Sequence, residues 1–178
     1  EALFEGSSFV TEAKIQFGLL NTGSEGQNLA GALLERDVRD RQRRQADAQI
    51  EIEALQKQIL KEKEIAVIED SHFSRLHLKD IFDRYKIKSV RYFESGTELA
   101  ESKKIYDIYL VDLVLQDEFG KNIIAELREK SDESLIFAVT SLNNPNLLAD
   151  VIDSGADDII IKPIEEKIFI AKLKSFVR

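Results

Sequence analysis

The stretch IYDIYLVDLVLQDEFG, residues 105–120, decides the fold of this 178-residue chain. It opens with a short apolar run, partly β-branched, that ends on a single acid, Asp112. A strand buried on both faces of a parallel sheet shows such a continuous hydrophobic run. Ligands of open α/β sheets lie beyond the carboxyl ends of these strands, so the pattern predicts Asp112 at the rim of a sheet, facing a crevice.

Three further apolar runs end in the same way, each on residues that can carry chemistry. Because parallel strands deliver their carboxyl ends to one edge of a sheet, that edge would hold three carboxylates, a hydroxyl and an ammonium. The runs are 65–68 before Glu69 and Asp70, 135–139 before Thr140 and Ser141, and 159–161 before Lys162 and Pro163.

From residue 64 onward, strand-like runs alternate with helix-like segments. Five strands alternating with five helices predict an α/β fold, a doubly wound five-stranded parallel sheet with right-handed crossovers. We place the strands near 64–69, 89–93, 106–112, 134–140 and 157–161. The helices follow them, near 71–84, 95–102, 118–130, 143–154 and 165–177.

A long N-terminal helix is predicted over residues 29–63, where strong helix formers dominate and proline is absent. A heptad frame puts six apolar residues on one side of this helix. A stripe that thin favours a parallel dimeric coiled coil over a helix docked on its own domain. These six residues, called the seam, are Leu34, Val38, Ala48, Ile52, Leu55 and Ile59.

Residues 1–28 stay unassigned. The alternation of Ala13, Ile15, Phe17 and Leu19 with more polar residues fits a half-buried strand, and a frayed chain end fits equally well.

Composition argues against several classes of partner. The formal net charge of -8 disfavours nucleic acid and anionic membrane, since both need a positive surface. No apolar run approaches the roughly 20 residues of a membrane helix. The chain has no cysteine, which suits an intracellular, cytoplasmic location.

The acids at the predicted edge favour a divalent cation, because clustered carboxylates resist ionising together unless a cation intervenes. Oxygen-only ligands, without cysteine or a suitable histidine pair, favour Mg²⁺ over zinc. A carboxylate can also act as a nucleophile toward phosphorus, and donors at the same edge could meet the phosphate oxygens. The pattern therefore predicts a phosphorylatable metal site that includes Glu69, Asp70 and Asp112.

The separations between the strand-end residues resemble those of the receiver domain of two-component response regulators. The resemblance covers roughly residues 64–178 and implies a flavodoxin-like sheet of strand order 2-1-3-4-5. The matched positions, in chain order, are Glu69, Asp70, Asp112, Thr140, Lys162 and Pro163.

The resemblance also implies roles for these residues. Asp112 would accept a phosphoryl group from a histidine kinase or phosphotransfer protein, Thr140 and Lys162 would bind phosphate oxygens, and the bond before Pro163 would be cis. The resemblance implies a phosphorylation-controlled switch, not an enzyme; the alternative is a pseudo-receiver that acts as a scaffold through its coiled coil. Mg²⁺ would be held by the side chains of Glu69, Asp70 and Asp112 and by the backbone carbonyl of Val114.

Some positions depart from the family pattern. Glu69 stands where Asp is commoner, and Ile159 occupies a switch position that is often aromatic. In this family, the residues two past the phosphoacceptor and two past the threonine often influence the hydrolytic water. Here they are Val114 and Leu142, both apolar, which predicts a slowly hydrolysed acyl phosphate.

Overall fold

A computed structural model of the chain describes residues 24–177, with side chains from residue 31 onward. Five strands form one sheet in which every neighbouring pair is parallel, in the order 2-1-3-4-5. This confirms the predicted flavodoxin-like, doubly wound α/β fold. The strands are β1 (Ile65–Ile68), β2 (Val90–Phe93), β3 (Ile108–Asp112), β4 (Leu135–Thr140) and β5 (Asp158–Ile161).

Three of the helices begin directly after a residue whose side chain caps the first turn. The side-chain oxygens of Ser71, Ser95 and Asn144 each accept a hydrogen bond from a backbone N–H in the first turn that follows. From residue 64 onward, the predicted limits of every strand and helix agree with the observed limits within two residues. The helices are α1 (Ser24–Glu62), α2 (His72–Tyr85), α3 (Gly96–Glu101), α4 (Gly120–Lys130), α5 (Pro145–Asp153) and α6 (Glu166–Phe176).

The core lies on both faces of the sheet, because successive residues of a strand point to opposite faces. In β1, Ile65 and Val67 belong to a cluster with α2 and α6, whereas Ala66 and Ile68 belong to a second cluster with α3, α4 and α5. All four β1 residues are buried. Two-sided burial explains the continuous apolar runs, and it leaves only the strand ends free to carry polar chemistry.

The C-terminal end of α1 is part of this core. Leu60 is buried, and Ile59 is half-buried against the cluster on the α2 and α6 face. The Asp107 carboxylate, just before β3, accepts hydrogen bonds from the Glu64 backbone N–H at 2.8 Å and from the Lys63 Nζ at 3.1 Å. The last seam residue, Ile59, therefore packs on its own domain, as expected for a helix that docks there instead of forming a coiled coil.

The remaining seam residues are exposed in the single chain. Their exposed fractions run from 40% for Leu34 to 57% for Leu55, and Ala48 is also exposed. The structure confirms a long helix here, and the coiled coil stays a prediction. The strand considered for residues 13–19 lies outside the described residues.

Over residues 24–177, none of the helices combines the length and the apolar character that crossing a membrane requires.

Candidate functional site

The carboxyl ends of β1, β3, β4 and β5 meet at one edge of the sheet, as the apolar runs predict. Asp112 is the last residue of β3 and Thr140 the last of β4, while Glu69 and Lys162 directly follow β1 and β5. Glu69, Asp112 and Thr140 are buried. Polar groups are costly to bury without hydrogen-bond partners. The partners of these three side chains therefore show how the site is built.

Lys162 joins two of the three acids. Its Nζ donates to the Asp112 Oδ2 at 2.6 Å and to the Glu69 Oε2 at 2.7 Å. The Lys162 side chain keeps 22% of its surface exposed, so this residue is not fully enclosed. Charge-assisted hydrogen bonds of this kind hold all three side chains in fixed positions.

Backbone amides orient each carboxylate. The Ser71 N–H donates to the Glu69 Oε1 at 3.1 Å, and the Val114 N–H donates to the Asp112 Oδ1 at 3.0 Å. The Gln116 N–H donates to the Asp70 Oδ2 at 2.8 Å. The loop between β3 and α4 therefore contributes two amides that position acidic side chains.

The pKa values of two groups reflect this crowding. Burial, followed by the neighbouring charge of Asp112, raises the pKa of Glu69, although Lys162 and the Ser71 amide oppose the rise. Burial alone would lower the pKa of Lys162, but its hydrogen bonds and attraction to Asp112 and Glu69 outweigh burial and raise it. Lys162 is therefore a firmly charged cation at neutral pH.

The three acids form a donor set that fits a hard divalent cation. One oxygen from each of Glu69, Asp70 and Asp112 can be chosen so that the three lie within 4.8 Å of one another. With all groups ionised, three carboxylates and the Lys162 ammonium leave a formal excess of two negative charges. An all-oxygen donor set with a net negative charge suits a hard divalent cation such as Mg²⁺.

Thr140 and Val114 also lie at this edge. The Thr140 Oγ1 accepts a hydrogen bond from the Leu142 N–H at 3.0 Å, and the Lys162 N–H donates to the Thr140 carbonyl at 2.7 Å. Because the Thr140 hydroxyl accepts the hydrogen bond from the Leu142 N–H, its own proton stays available for donation to an anion. The Lys162–Pro163 bond is cis, as the resemblance implies.

Sequence reasoning missed one side chain at this edge, Arg75. Its guanidinium lies over the end of β1 and donates to the backbone carbonyls of both Glu69 and Asp70. One feature of the sequence could have indicated Arg75. It lies near the N-terminus of a helix, where the helix dipole disfavours a cation, so some other contact must stabilise it there.

A comparison with protein-family models decides the family. The model of the response regulator receiver domain matches residues 65–174, more than half of the chain. The chain belongs to the response regulator receiver family. This confirms the resemblance seen in the strand-end residues. Receiver domains of response regulators generally act as signalling switches rather than as enzymes.

Known relatives are similar to this receiver domain at modest identity. The chemotaxis protein CheY of Bacillus subtilis is 24% identical over 103 residues, which are 57% of this chain and 86% of CheY. The response regulator ArlR of Staphylococcus epidermidis is 28% identical over 116 residues, 64% of this chain, and the match spans only 52% of ArlR.

Solved receiver structures share the fold. The BeF3-activated DrrB receiver domain matches with a TM-score of 0.60 and 23% identity, over 64% of this chain and 96% of that chain. At this level of identity the similarity shows a shared fold and nothing further.

Proposed function

We propose that this receiver domain is a phosphorylation-controlled switch, which accepts a phosphoryl group on Asp112 from a histidine kinase or phosphotransfer protein with Mg²⁺ bound. The observation that carries the proposal is the position of Asp112, whose carboxylate lies beside those of Glu69 and Asp70 and accepts from the Lys162 Nζ at 2.6 Å. Phosphorylation would change protein–protein association. The proposal also includes a cytoplasmic location. It divides the chain into an unassigned N-terminal segment, a long helix and a receiver domain, residues 1–28, 29–63 and 64–178.

Asp112 is the proposed nucleophile. One of its oxygens attacks the phosphorus of a phosphohistidine, the P–N bond breaks, and its electron pair leaves with the imidazole, so an acyl phosphate remains. The charge of a bound Mg²⁺ would reduce the repulsion between the phosphoryl group and the carboxylates. Lys162 and the free proton of the Thr140 hydroxyl then supply donors for the phosphate oxygens.

The metal would be held by the side chains of Glu69, Asp70 and Asp112, with the backbone carbonyl of Val114 as a further proposed ligand. Val114 suits this role because its N–H donates to the Asp112 Oδ1 at 3.0 Å, which keeps the residue that carries this carbonyl beside the acids.

Acetyl phosphate tests the proposal without a cognate kinase. We expect one phosphorylated species by intact mass and on a Phos-tag gel in the presence of MgCl2, and none after EDTA removes the ion. The exposed seam of α1 favours the alternative, a scaffold that works through its coiled coil. A chain that takes up neither phosphate nor beryllofluoride with Mg²⁺ would be that pseudo-receiver.

Ile52→Asp is expected to dissociate a homodimer formed through α1. Ile52 lies on the seam and is 50% exposed in the single chain, so pairing would bury apolar surface on both copies. Losing two such contacts costs about 3 kcal/mol or more, about a hundredfold in Kd. Analytical ultracentrifugation of the full chain measures the change.

Ile50→Asp is the matched control for the dimer. Ile50 is 67% exposed and lies on the opposite side of the heptad frame, so the same change in charge should leave the association intact. A monomeric wild type, or equal dissociation of both variants, would contradict pairing through the seam.

The acyl phosphate of the wild type is expected to outlive that of Val114→Asn, Leu142→Glu by about tenfold, because polar side chains can orient the attacking water. The Val114 and Leu142 amides bond to the Asp112 and Thr140 side chains, so both residues lie beside the phosphorylation site. Decay of the phosphorylated band after removal of acetyl phosphate gives both lifetimes. Val114→Leu, Leu142→Ile, which adds no polar group, is the control, and equal lifetimes for wild type and the polar variant would refute the prediction.

A further inference from the structure

We infer that Arg75 is a positioning residue for the divalent cation, because its guanidinium holds the two peptide carbonyls beside the carboxylates of Glu69 and Asp70. This inference rests on the metal site of the proposed function. Arg75 itself contributes no ligand atom. It acts through the backbone that carries two of the three acids.

Both terminal nitrogens of the Arg75 guanidinium donate hydrogen bonds. The Nη1 atom donates to the Glu69 carbonyl oxygen at 2.7 Å and to the Asp70 carbonyl oxygen at 2.9 Å, and the Nη2 atom donates to the Glu94 Oε1 at 2.6 Å. The Arg75 side chain is only 16% exposed. A planar guanidinium with fixed donor directions can serve two carbonyls and a carboxylate at once, which a lysine ammonium does less well.

The location of Arg75 needs an explanation other than helix stability. A positive charge near the N-terminus of a helix meets the positive end of the helix dipole. Glu94, just after β2, supplies the compensating charge. The Glu69 N–H also donates to the Phe93 carbonyl at 3.0 Å, so the backbone at the end of β1 is also bonded to the last residue of β2.

The consequence for a metal follows from the geometry that each ion demands. Mg²⁺ requires a near-ideal octahedron with short bonds, whereas Ca²⁺ accepts longer and more irregular ones. Groups that orient metal ligands typically change metal affinity by about 10- to 100-fold. Loosening the backbone at Glu69 and Asp70 should therefore weaken Mg²⁺ binding more than Ca²⁺ binding.

The experiment titrates the full chain with MgCl2 and separately with CaCl2, following amide chemical shifts by NMR. For Arg75→Ala we expect Mg²⁺ affinity to fall by about tenfold or more and Ca²⁺ affinity by less than about threefold, so that the preference for Mg²⁺ declines. Arg75→Lys should restore part of the Mg²⁺ affinity, and it serves as the second variant if Arg75→Ala does not fold.

Arg84→Ala is the matched control, since Arg84 lies on the same helix and pairs with Asp80 and Glu166, away from the acids. Unchanged Mg²⁺ binding in both Arg75 variants would overturn the inference and leave the proposed function standing. An equal loss of both ions would also overturn it, because that pattern reports general loosening. If the wild type binds no Mg²⁺, the proposed function fails and the inference fails with it.

Discussion

Asp112→Asn is expected to abolish the phosphorylation of this receiver domain by acetyl phosphate, leaving neither a shifted band on a Phos-tag gel nor a mass increase. The neutral amide lacks the charged oxygen that attacks phosphorus. Asparagine has nearly the same shape as aspartate, and its side-chain oxygen can still accept from Lys162, which lies 2.6 Å from the native carboxylate. We therefore expect a complete loss of label in a chain whose circular dichroism spectrum is unchanged.

Asp117→Asn is the control for this experiment. Asp117 lies on the loop that follows Asp112, between β3 and α4, and it is exposed, so its replacement removes one negative charge without touching the buried acids. Label should stay at the wild-type level in this variant. Persistent label in Asp112→Asn, or label mapped by peptide mass to another residue of the wild type, would show that Asp112 is not the phosphoacceptor.

Gly120→Ala is expected to lower the free energy of unfolding by about 3 kcal/mol, the upper end of the usual cost of overpacking. Gly120 begins α4, and its N–H donates to the Leu113 carbonyl at 3.1 Å. A methyl group there would overlap the carbonyl oxygen of Asp112 and lie 2.9 Å from the Leu113 Cα. Because both obstacles are backbone atoms, no side-chain rotation can relieve the overlap.

The same substitution should slow phosphorylation, since the peptide that must move belongs to Asp112 itself. Urea unfolding measures the stability, and the initial rate of labelling by acetyl phosphate measures the chemistry. Gly31→Ala provides the comparison, because nothing lies within 4 Å of an added methyl group on that exposed part of α1. An unfolding midpoint for Gly120→Ala as high as that of Gly31→Ala would mean that the backbone accommodates the methyl group freely.

The sequence alone determined the sheet and most of the site. Buried parallel strands need apolar residues on both faces, so β1 and β3 are readable as continuous runs without any knowledge of their neighbours. The residues that end those runs fall at one edge by topology, which is why the sequence predicts Asp112 and Lys162 at the same edge of the sheet. Periodicity and strand ends are local properties, and a local pattern is what a sequence displays.

The tertiary structure alone decided which groups touch. Heptad spacing placed Ile59 on the seam with Ile52, since periodicity reports that a side chain is buried but not against which partner. The closeness of Gly120 to the Asp112 peptide depends on how a loop closes. The hydrogen bonds of Arg75 to the backbone after β1 and to Glu94 after β2 depend on how helix α2 packs beside these strands. Such contacts join residues whose separation in space is set by packing, and no spacing along the chain encodes it.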